Sequence, residues 1–346
     1  MQLQNLKSIL NKLPTLTILV IGDYFLDRYL TIDPDLAETS IETGLEARQI
    51  TGIRNQPGAA GTVTSNLCAL GIGTVQALGI IGDDGQGYDL KIGLQETGVD
   101  TTNLIETPIR FTPTYTKPLN KKTGAEMERL DIKNRTPLSA ELENQLINTL
   151  HHLLPQVQGV IALDQVQEAN CGVLTDRITT ELAHLAQTHP EIVFFADSRT
   201  RITHFKNVIL KANRNEAIQA TGERDLQRCA RAFTQQTGKA IFITQGPNGI
   251  LVANGENLTH IPGIHVPDPI DIVGAGDSVS ATVVSALCAG ASPPRAAQLG
   301  VLASSITIQQ LGTTGTASPE QIIERFRETT DKTAKRREPS AKRRDP

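Results

Sequence analysis

Short apolar runs that favour β-strands alternate with helix-like segments along most of this 346-residue chain. Alternation of this kind predicts an α/β protein with a mainly parallel sheet and helices on both of its faces. The ligands of such sheets bind beyond the carboxyl ends of the strands. Functional side chains are therefore expected directly after the apolar runs. The polar residues at those places are Asp23, Asp83, Asp164, Asp197, Asn213 and Gln245.

The composition indicates a soluble globular protein, with 39% hydrophobic and 20% charged residues. The net charge of −4 gives no reason to expect a nucleic acid partner. The four cysteines are far apart and form no C-x-x-C pair, which predicts reduced thiols in the cytoplasm. No segment has the length of a membrane span or the apolar core of a signal peptide.

Residues 331–346 form a basic tail, with seven Lys or Arg against three Asp or Glu. Apolar side chains are almost missing from it, so we expect this tail to be disordered. A basic tail can contact RNA or acidic lipid, but short charge runs are more often solvated termini, and we favour the solvated terminus.

The segment Asp271-Ile-Val-Gly-Ala-Gly-Asp277 precedes an apolar run at residues 278–289 that predicts a helix. Small residues let a backbone approach a ligand closely, and the free N–H groups of a first helical turn bind anions. Asp277 would lie beside such an anion and accept a proton. An anion site with a base is what phosphoryl transfer to a hydroxyl needs. An ordinary helix entry is the alternative for this segment taken alone.

Two further segments precede that motif, and each has a purely structural alternative. Thr244-Gln-Gly-Pro-Asn-Gly249 lies between two predicted strands, where a simple hairpin turn would also suit it. Asn213 ends a strand and Glu216 follows at the start of a helix. This spacing makes a capping box, but the two side chains also suit the water shell of a Mg²⁺ ion beside nucleotide phosphates.

In this order, the three segments resemble the Asn-x-x-Glu, Thr-x-Gly-x-x-Gly and Asp-x-x-Gly-Ala-Gly-Asp motifs of the ribokinase/PfkB family of carbohydrate kinases. Residues 57–61 are similar to the glycine-rich turn that opens a helix in that family. The resemblance implies a kinase domain over residues 1–330 with a ribokinase-like fold. Residues 30–57 and 109–132 would form a small β lid that closes over the sugar and pairs between the subunits of a homodimer.

The resemblance also implies roles for the matching residues. Asp277 would be the base, and the N–H groups of Gly274, Ala275 and Gly276 would stabilise the transferred phosphoryl group. The nucleotide and cation region would be lined by Asn213, Glu216, Thr244, Gly246, Gly249, Asp271 and Gly312. The sugar would be contacted by Asp23, Asp27, Gly58, Ala59, Ala60, Gly61, Asn66 and Arg129. The implied cofactors are ATP and Mg²⁺, the latter held through water by Asn213 and Glu216, together with a monovalent cation such as K⁺.

Within the family, the chain is most similar to the heptose-phosphate kinase branch of ADP-heptose synthesis. The start Gly-Asp-Tyr-Phe-Leu-Asp-Arg-Tyr at residues 22–29 carries this resemblance. It implies phosphorylation of D-glycero-D-manno-heptose 7-phosphate at the 1-position. The chain departs from the branch at Val273, where Thr is usual, at Gly61-Thr62, where Asn-Val is common, and at residues 164–170, which lack a lysine suited to a substrate phosphate. The alternatives are a nucleoside or other small-molecule kinase of the same fold, or a catalytically idle sugar- or nucleotide-binding regulator.

Overall fold

The computed structural model of the chain describes residues 1–337. The strands are β1 (Thr17–Gly22), β2 (Tyr24–Thr39), β3 (Glu46–Ala59), β4 (Thr74–Gly82), β5 (Leu104–Thr107), β6 (Thr114–Asn120), β7 (Leu130–Ile132), β8 (Gly159–Asp164), β9 (Val193–Ser198), β10 (Ile209–Asn213), β11 (Ile241–Thr244), β12 (Ile250–Asn254) and β13 (Asn257–Ile261). The helices are α1 (Leu3–Leu10), α2 (Ala60–Ala69), α3 (Gly85–Glu96), α4 (Ala140–Leu153), α5 (Asp176–Thr188), α6 (Arg214–Thr221), α7 (Leu226–Thr237), α8 (Ala275–Cys288), α9 (Pro293–Thr307) and α10 (Pro319–Arg337).

Within residues 1–337, nine strands form one sheet in the order β13-β12-β11-β10-β9-β8-β1-β4-β5. The pairs from β11 through to β5 are parallel, and β12 and β13 add an antiparallel edge. Side chains of a strand alternate between faces. Ile18 and Val20 of β1 accordingly pack with helices α1, α2, α8 and α9, whereas Leu19 and Ile21 pack with α4, α5 and α7. The predicted parallel sheet with helices on both faces is confirmed.

A second sheet of four strands, β3-β2-β6-β7, lies outside the main one in the described part of the chain. It takes strands from both predicted lid segments, and we call it the lid. Within the lid, β2 and β3 form one long antiparallel hairpin. The hairpin begins buried at Tyr24 and becomes exposed toward Leu36 and Ile41. The polar, alternating sequence of this hairpin did not indicate its length, because neither face of its outer half is covered by other elements.

Several element boundaries differ from the prediction. The sequence predicted a helix from Pro57, but the backbone stays extended through Ala59 before α2 begins. Helix α10 continues through Arg337, so the first seven residues of the predicted disordered tail are helical; the rest of that prediction falls on residues 338–346, outside the described residues. No helix in residues 1–337 is both long and apolar enough to cross a membrane.

Ala59, the residue before α2, has a backbone conformation that favours glycine, with φ +54° and ψ −116°. Non-glycine residues in such regions carry strain of about 1–3 kcal/mol, partly offset by the greater chain entropy of glycine when unfolded. We therefore expect Ala59→Gly to raise the free energy of unfolding by about 1 kcal/mol in urea denaturation. Ala60→Gly, at the first position of the helix, is the matched control and should lower it by roughly 0.5–1 kcal/mol. If both variants lost the same free energy of unfolding, the backbone at Ala59 would not be strained.

Candidate active site

The first turn of α8 has open backbone donors. Gly274 caps the helix in the left-handed region, with φ +79°. The N–H groups of Gly274, Gly276 and Asp277 have no hydrogen-bond acceptor among the described residues, whereas that of Ala275 donates to the carbonyl of Ile272 at 3.2 Å. Two of the three predicted N–H donors, those of Gly274 and Gly276, are therefore free to bind a ligand, and so is the N–H of Asp277. Open donors at the positive end of a helix dipole suit an anion.

A buried lysine, which the sequence interpretation missed, lies beneath this turn. A Cβ added to Gly276 would lie only 3.0 Å from Nζ of Lys211. Lys211 is on β10, and its Nζ donates to Oδ2 of Asp197 on the neighbouring strand β9 at 2.6 Å. The hydroxyl of Ser280 in α8 donates to the same oxygen at 2.9 Å. The carboxylate of Asp197 therefore joins Lys211 on the next strand to the helix that carries Asp277.

The electrostatics of this cluster adapt Asp277 to accept a proton near neutral pH. Burial raises the pKa of Asp277 to about 7; the charge of Lys211 lowers it and that of Asp197 raises it. Burial alone would lower the pKa of Lys211, but Asp197, Glu216 and Asp277 outweigh burial, so the pKa is raised and the lysine stays charged. A base with a pKa near the working pH is the most effective general base.

Asn213 and Glu216 form the capping box of α6. The side-chain oxygen of Asn213 accepts the N–H groups of Asn215 and Glu216, and Oε2 of Glu216 accepts the N–H of Asn213. The structural alternative is therefore present. Oε1 of Glu216 has no hydrogen-bond partner in the described residues, and burial raises the pKa of this side chain. No group of three or more His, Cys, Asp or Glu suited to direct metal binding occurs in that part of the chain.

The Thr244–Gly249 segment is a hairpin turn between β11 and β12, as its structural alternative states. The turn follows the carboxyl end of β11, beside the end of β10 that carries Asn213. Gly249 has φ +91°, and a Cβ there would lie 2.0 Å from the carbonyl oxygen of Ile261, so only glycine fits. Gly246 also has a positive φ, but no atom crowds it. Packing therefore requires glycine at position 249, whereas at position 246 only the backbone conformation favours it.

Asp271 connects the α8 turn to the loop after α9. Its Oδ1 accepts the N–H of Val273 at 3.0 Å and its Oδ2 accepts that of Gly312 at 3.1 Å. The lid reaches the same loop, since Arg54 donates to the carbonyl of Gly312 at 3.1 Å and Gln56 donates to the hydroxyl of Thr313. The position of the lid and the shape of the α8 turn are therefore mechanically connected.

Asp27 on β2 and Gly58 on β3 are diagonal neighbours at the inner end of the lid, where Asp27 pairs with Gln56 and Gly58 with Phe25. Oδ1 of Asp27 accepts a hydrogen bond from Nζ of Lys117 on β6 at 2.9 Å, and both side chains are largely shielded from solvent. A Cβ on Gly58 would lie 2.5 Å from Oδ2 of Asp27, so glycine keeps this oxygen accessible. Asp27 also lies near enough to Asp277 for its charge to raise the pKa of that residue.

Two of the predicted sugar-binding residues form hydrogen bonds within the protein. The carboxylate oxygens of Asp23 accept the backbone N–H groups of Gln165, Val166 and Val173, so this aspartate holds the loop after β8. Asn66 is buried within α2 and donates to the carbonyl of Thr62 in its own helix. Asp23 therefore has a structural role in the loop after β8, and the amide nitrogen of Asn66 one within α2; their contact with a sugar stays a prediction.

The other predicted sugar contacts have mixed positions. Ala60 is buried at the start of α2, and its N–H donates to the carbonyl of Asp23. A Cβ on Gly61 would lie 2.6 Å from that of Pro57, so this glycine allows the helix to approach the end of β3. Arg129 is an exposed lid residue that pairs with Asp131 and stacks over the ring of Tyr115 at 4.1 Å.

A family model described as pfkB family carbohydrate kinase matches residues 25–321. The chain belongs to this family. The curated relatives of this PfkB kinase include the bifunctional protein HldE of Trichlorobacter lovleyi, 30% identical over 92% of the chain, and that of Geobacter sulfurreducens, 28% identical over 93%. The chain spans 64% and 65% of the length of these two relatives.

Solved structures show the same fold for this PfkB kinase. Escherichia coli phosphofructokinase-2 in complex with potassium has a TM-score of 0.72 at 19% identity, over 91% of this chain and 99% of that one. Arabidopsis thaliana ribokinase complexed with ribose and ATP has a TM-score of 0.66 at 16% identity, over 90% and 98%. The predictions of a ribokinase-like fold and of a carbohydrate kinase are confirmed.

The raised pKa of Asp277 predicts a pH profile for this PfkB kinase. Since a base must be deprotonated to act, kcat/KM should rise about tenfold per pH unit below a midpoint near 7 and level off above it. ATP has phosphate groups that also titrate, so the profile is measured for Asp277→Glu as well. The midpoint of that variant should move if the base controls it and stay fixed if ATP does. A wild-type profile flat down to pH 5 would rule out the shifted base.

Proposed function

We propose that this PfkB kinase transfers the γ-phosphate of ATP to the 1-hydroxyl of D-glycero-D-manno-heptose 7-phosphate. The observation that carries the kinase mechanism is the contact of the open α8 turn with Lys211 beside Asp277. The similarity to HldE proteins and the Gly-Asp-x-x-Leu-Asp-Arg-Tyr start support the heptose acceptor. The reaction is proposed to occur in the cytoplasm, in line with four free cysteines.

In the proposed mechanism, Asp277 accepts the proton of the sugar hydroxyl as its oxygen attacks the γ-phosphorus, and the bond to the ADP oxygen breaks. The N–H groups of Gly274 and Gly276 and the ammonium of Lys211 stabilise the charge that develops on the phosphoryl oxygens. Asp27, through its accessible Oδ2, would accept a hydrogen bond from the sugar and orient it. Positioning and electrostatics thus supply most of the rate, as is general for phosphoryl transfer.

Mg²⁺, when bound, would neutralise charge on the β- and γ-phosphates, and Oε1 of Glu216 is the oxygen that fits its water shell. The oxygen of Asn213 would contribute only weakly, since the helix cap already uses it. Thr244 and Gly246 would line the nucleotide site. Asp271 remains our proposed neighbour of a monovalent cation such as K⁺; each of its oxygens accepts one N–H and retains a second lone pair.

We also propose that the lid pairs with that of a second subunit. Several of its apolar side chains are exposed, with Ile41 completely so and Leu45, Ile50 and Ile53 about half or more. Patches of this kind on a soluble protein mark interaction surfaces. Light scattering after gel filtration should give a dimer, and Ile53→Glu should give a monomer. A monomeric wild-type protein would contradict the proposal.

A substrate panel with ATP consumption as the readout tests the proposed function. Heptose 7-phosphate should be phosphorylated with the highest kcat/KM, ahead of fructose phosphates, ribose and adenosine. A preference for adenosine would favour a nucleoside kinase of the same fold instead. ATP turnover with none of the acceptors, despite binding of a sugar or nucleotide, would favour a catalytically idle regulator.

A further inference from the structure

A partly open cavity lies between the lid and the loop after β8. Phe25 and Tyr115 form its lid side, with their rings packed edge to face at 5.0 Å. The opposite wall is the segment 165–168, part of the region in which the chain departs from the heptose branch. Neither Asp277 nor the α8 turn lines the cavity, so it is additional to the proposed catalytic centre.

Two cationic side chains that line this cavity have no ion-pair partner in the described residues. Arg199 donates from Nε to the amide oxygen of Gln165 at 2.6 Å, which is a neutral acceptor. Lys133 lies near the face of the Tyr115 ring, with Nζ 5.8 Å from its centroid. A third cation, Arg110, donates only to backbone carbonyls. The cavity therefore has three positive charges that no carboxylate within ion-pair distance neutralises.

In the described residues, neither acidic residue of the cavity forms an ion pair with these three cations. Both oxygens of Asp23 are hydrogen-bonded to backbone N–H groups, and Glu168 pairs with Arg135 at 3.2 Å. By contrast, Lys117 is paired with Asp27, the residue proposed to accept a hydrogen bond from the sugar. Three cations without an ion-pair partner thus line the cavity, where they are available to an anionic ligand.

We infer that this cavity binds the phosphate monoester at the far end of the acceptor sugar, through Lys133 and Arg199. The inference rests on the proposed function and names the group that recognises its substrate. Arg199 follows the end of β9, next to the strand that carries Lys211. Arg199 stands two residues after Asp197, whose carboxylate contacts Lys211 and also Ser280 of the helix that carries Asp277. A sugar with its phosphate at Arg199 can therefore extend its other end toward Asp277.

This arrangement explains how the chain binds a phosphate without a lysine in residues 164–170. Lys133 follows β7 and reaches the cavity from the lid side, and Arg199 reaches it from the main sheet. Cations on two separate elements can contact one phosphate only when the lid lies over it. Phosphate recognition would therefore also favour the closed lid, which excludes water from the reaction.

The test is calorimetric titration of the full-length protein, without ATP, with heptose 7-phosphate, with heptose, and with heptose plus inorganic phosphate. The phosphorylated sugar should bind at least about tenfold more tightly than heptose, as expected for charge-assisted hydrogen bonds. Lys133→Gln and Arg199→Gln should each remove most of this preference while leaving heptose affinity unchanged. Arg135→Gln, an exposed neighbour already paired with Glu168, is the control and should keep the preference.

Kinetics separate this inference from the proposed function. If heptose 7-phosphate is a substrate and Lys133→Gln and Arg199→Gln leave its KM unchanged, the inference is wrong and the proposed function stands. If fructose 6-phosphate proves to be the substrate, the heptose assignment is wrong. The inference still stands if both variants raise the KM for fructose 6-phosphate and leave the KM for fructose unchanged. If heptose binds as tightly as its phosphate, or if free phosphate restores the affinity for heptose, the cavity does not recognise a sugar-linked phosphate.

Discussion

Replacement of Asp277 by Asn should lower kcat by about 10²- to 10⁴-fold, the usual loss when a general base is removed. The amide has the shape of the carboxylate but accepts no proton. ATP affinity should change little, because the open N–H groups of Gly274 and Gly276 and the charge of Lys211 remain. Initial rates with saturating acceptor, together with ATP titration of the variant, measure the two effects separately.

The same variant should be more stable than the wild type above pH 7. The folded state holds the proton of Asp277 up to a pKa of about 7, whereas the unfolded chain loses it near 3.8. Between these values the folded state binds more protons, so wild-type stability falls as the pH rises. Asparagine has no such cost, and we expect a gain on the order of 1–2 kcal/mol at pH 8, discounting the shift for partial solvation.

Asp83→Asn is the matched control for both effects. Asp83 also follows a parallel strand, β4, but it is exposed and its only hydrogen bond in the described residues is made by its backbone N–H, to Thr107. The control should keep wild-type activity and the wild-type dependence of stability on pH. An active Asp277→Asn protein would refute the catalytic role. An inactive protein with unchanged stability at every pH would indicate that the pKa of Asp277 is not raised in the folded state.

The parts of the fold that were predictable from the sequence are those controlled by local pattern. Continuous apolar runs predicted the buried parallel strands, and the apolar run at residues 278–289 predicted α8, which begins slightly earlier, at Ala275. Helix caps are local in the same way, since the side-chain oxygens of Ser139 and Thr175 each accept the N–H group three residues further along, at the starts of α4 and α5.

The candidate site was less predictable, because residue type alone does not show whether a polar side chain is already used. Asp23 and Asp27 stand four residues apart and look alike in the sequence. Three backbone N–H groups from distant residues occupy the first, whereas Gly58 leaves an oxygen of the second accessible. Such differences depend on contacts between residues more than thirty positions apart, which no local pattern encodes.

Lys211 is the clearest omission, although a signal for it existed. A lysine inside an apolar strand must be paired, since an isolated buried charge is too costly. Asp197 at the end of another strand was already a candidate polar residue. The register that joins them, Lys211 opposite Asp197 on β10 and β9, is visible only in the folded sheet. The ion pair between Lys211 and Asp197 could therefore be identified only from the folded structure.

Lys211→Met should lower kcat/KM by about 10²- to 10³-fold, the usual loss when one preorganised group that stabilises transition-state charge is removed. Its Nζ lies directly beneath Gly276, where the phosphoryl charge is proposed to develop. Without the lysine, the charge that lowers the pKa of Asp277 is also lost, so the midpoint of the pH profile should move above 7. Both effects are measured in one series of kcat/KM values against pH.

The single variant should also lose roughly 3–5 kcal/mol of stability, because Asp197 would keep a buried charge without its partner. A double variant, Lys211→Met with Asp197→Leu, separates stability from catalysis. It removes both charges and should recover most of the free energy of unfolding, since apolar replacement of a buried pair is often neutral. Its activity should nevertheless remain low, because no ammonium group faces the turn of α8. If activity returned together with stability, Lys211 would act only by holding the strands, and the charge beneath Gly276 would have no part in the reaction.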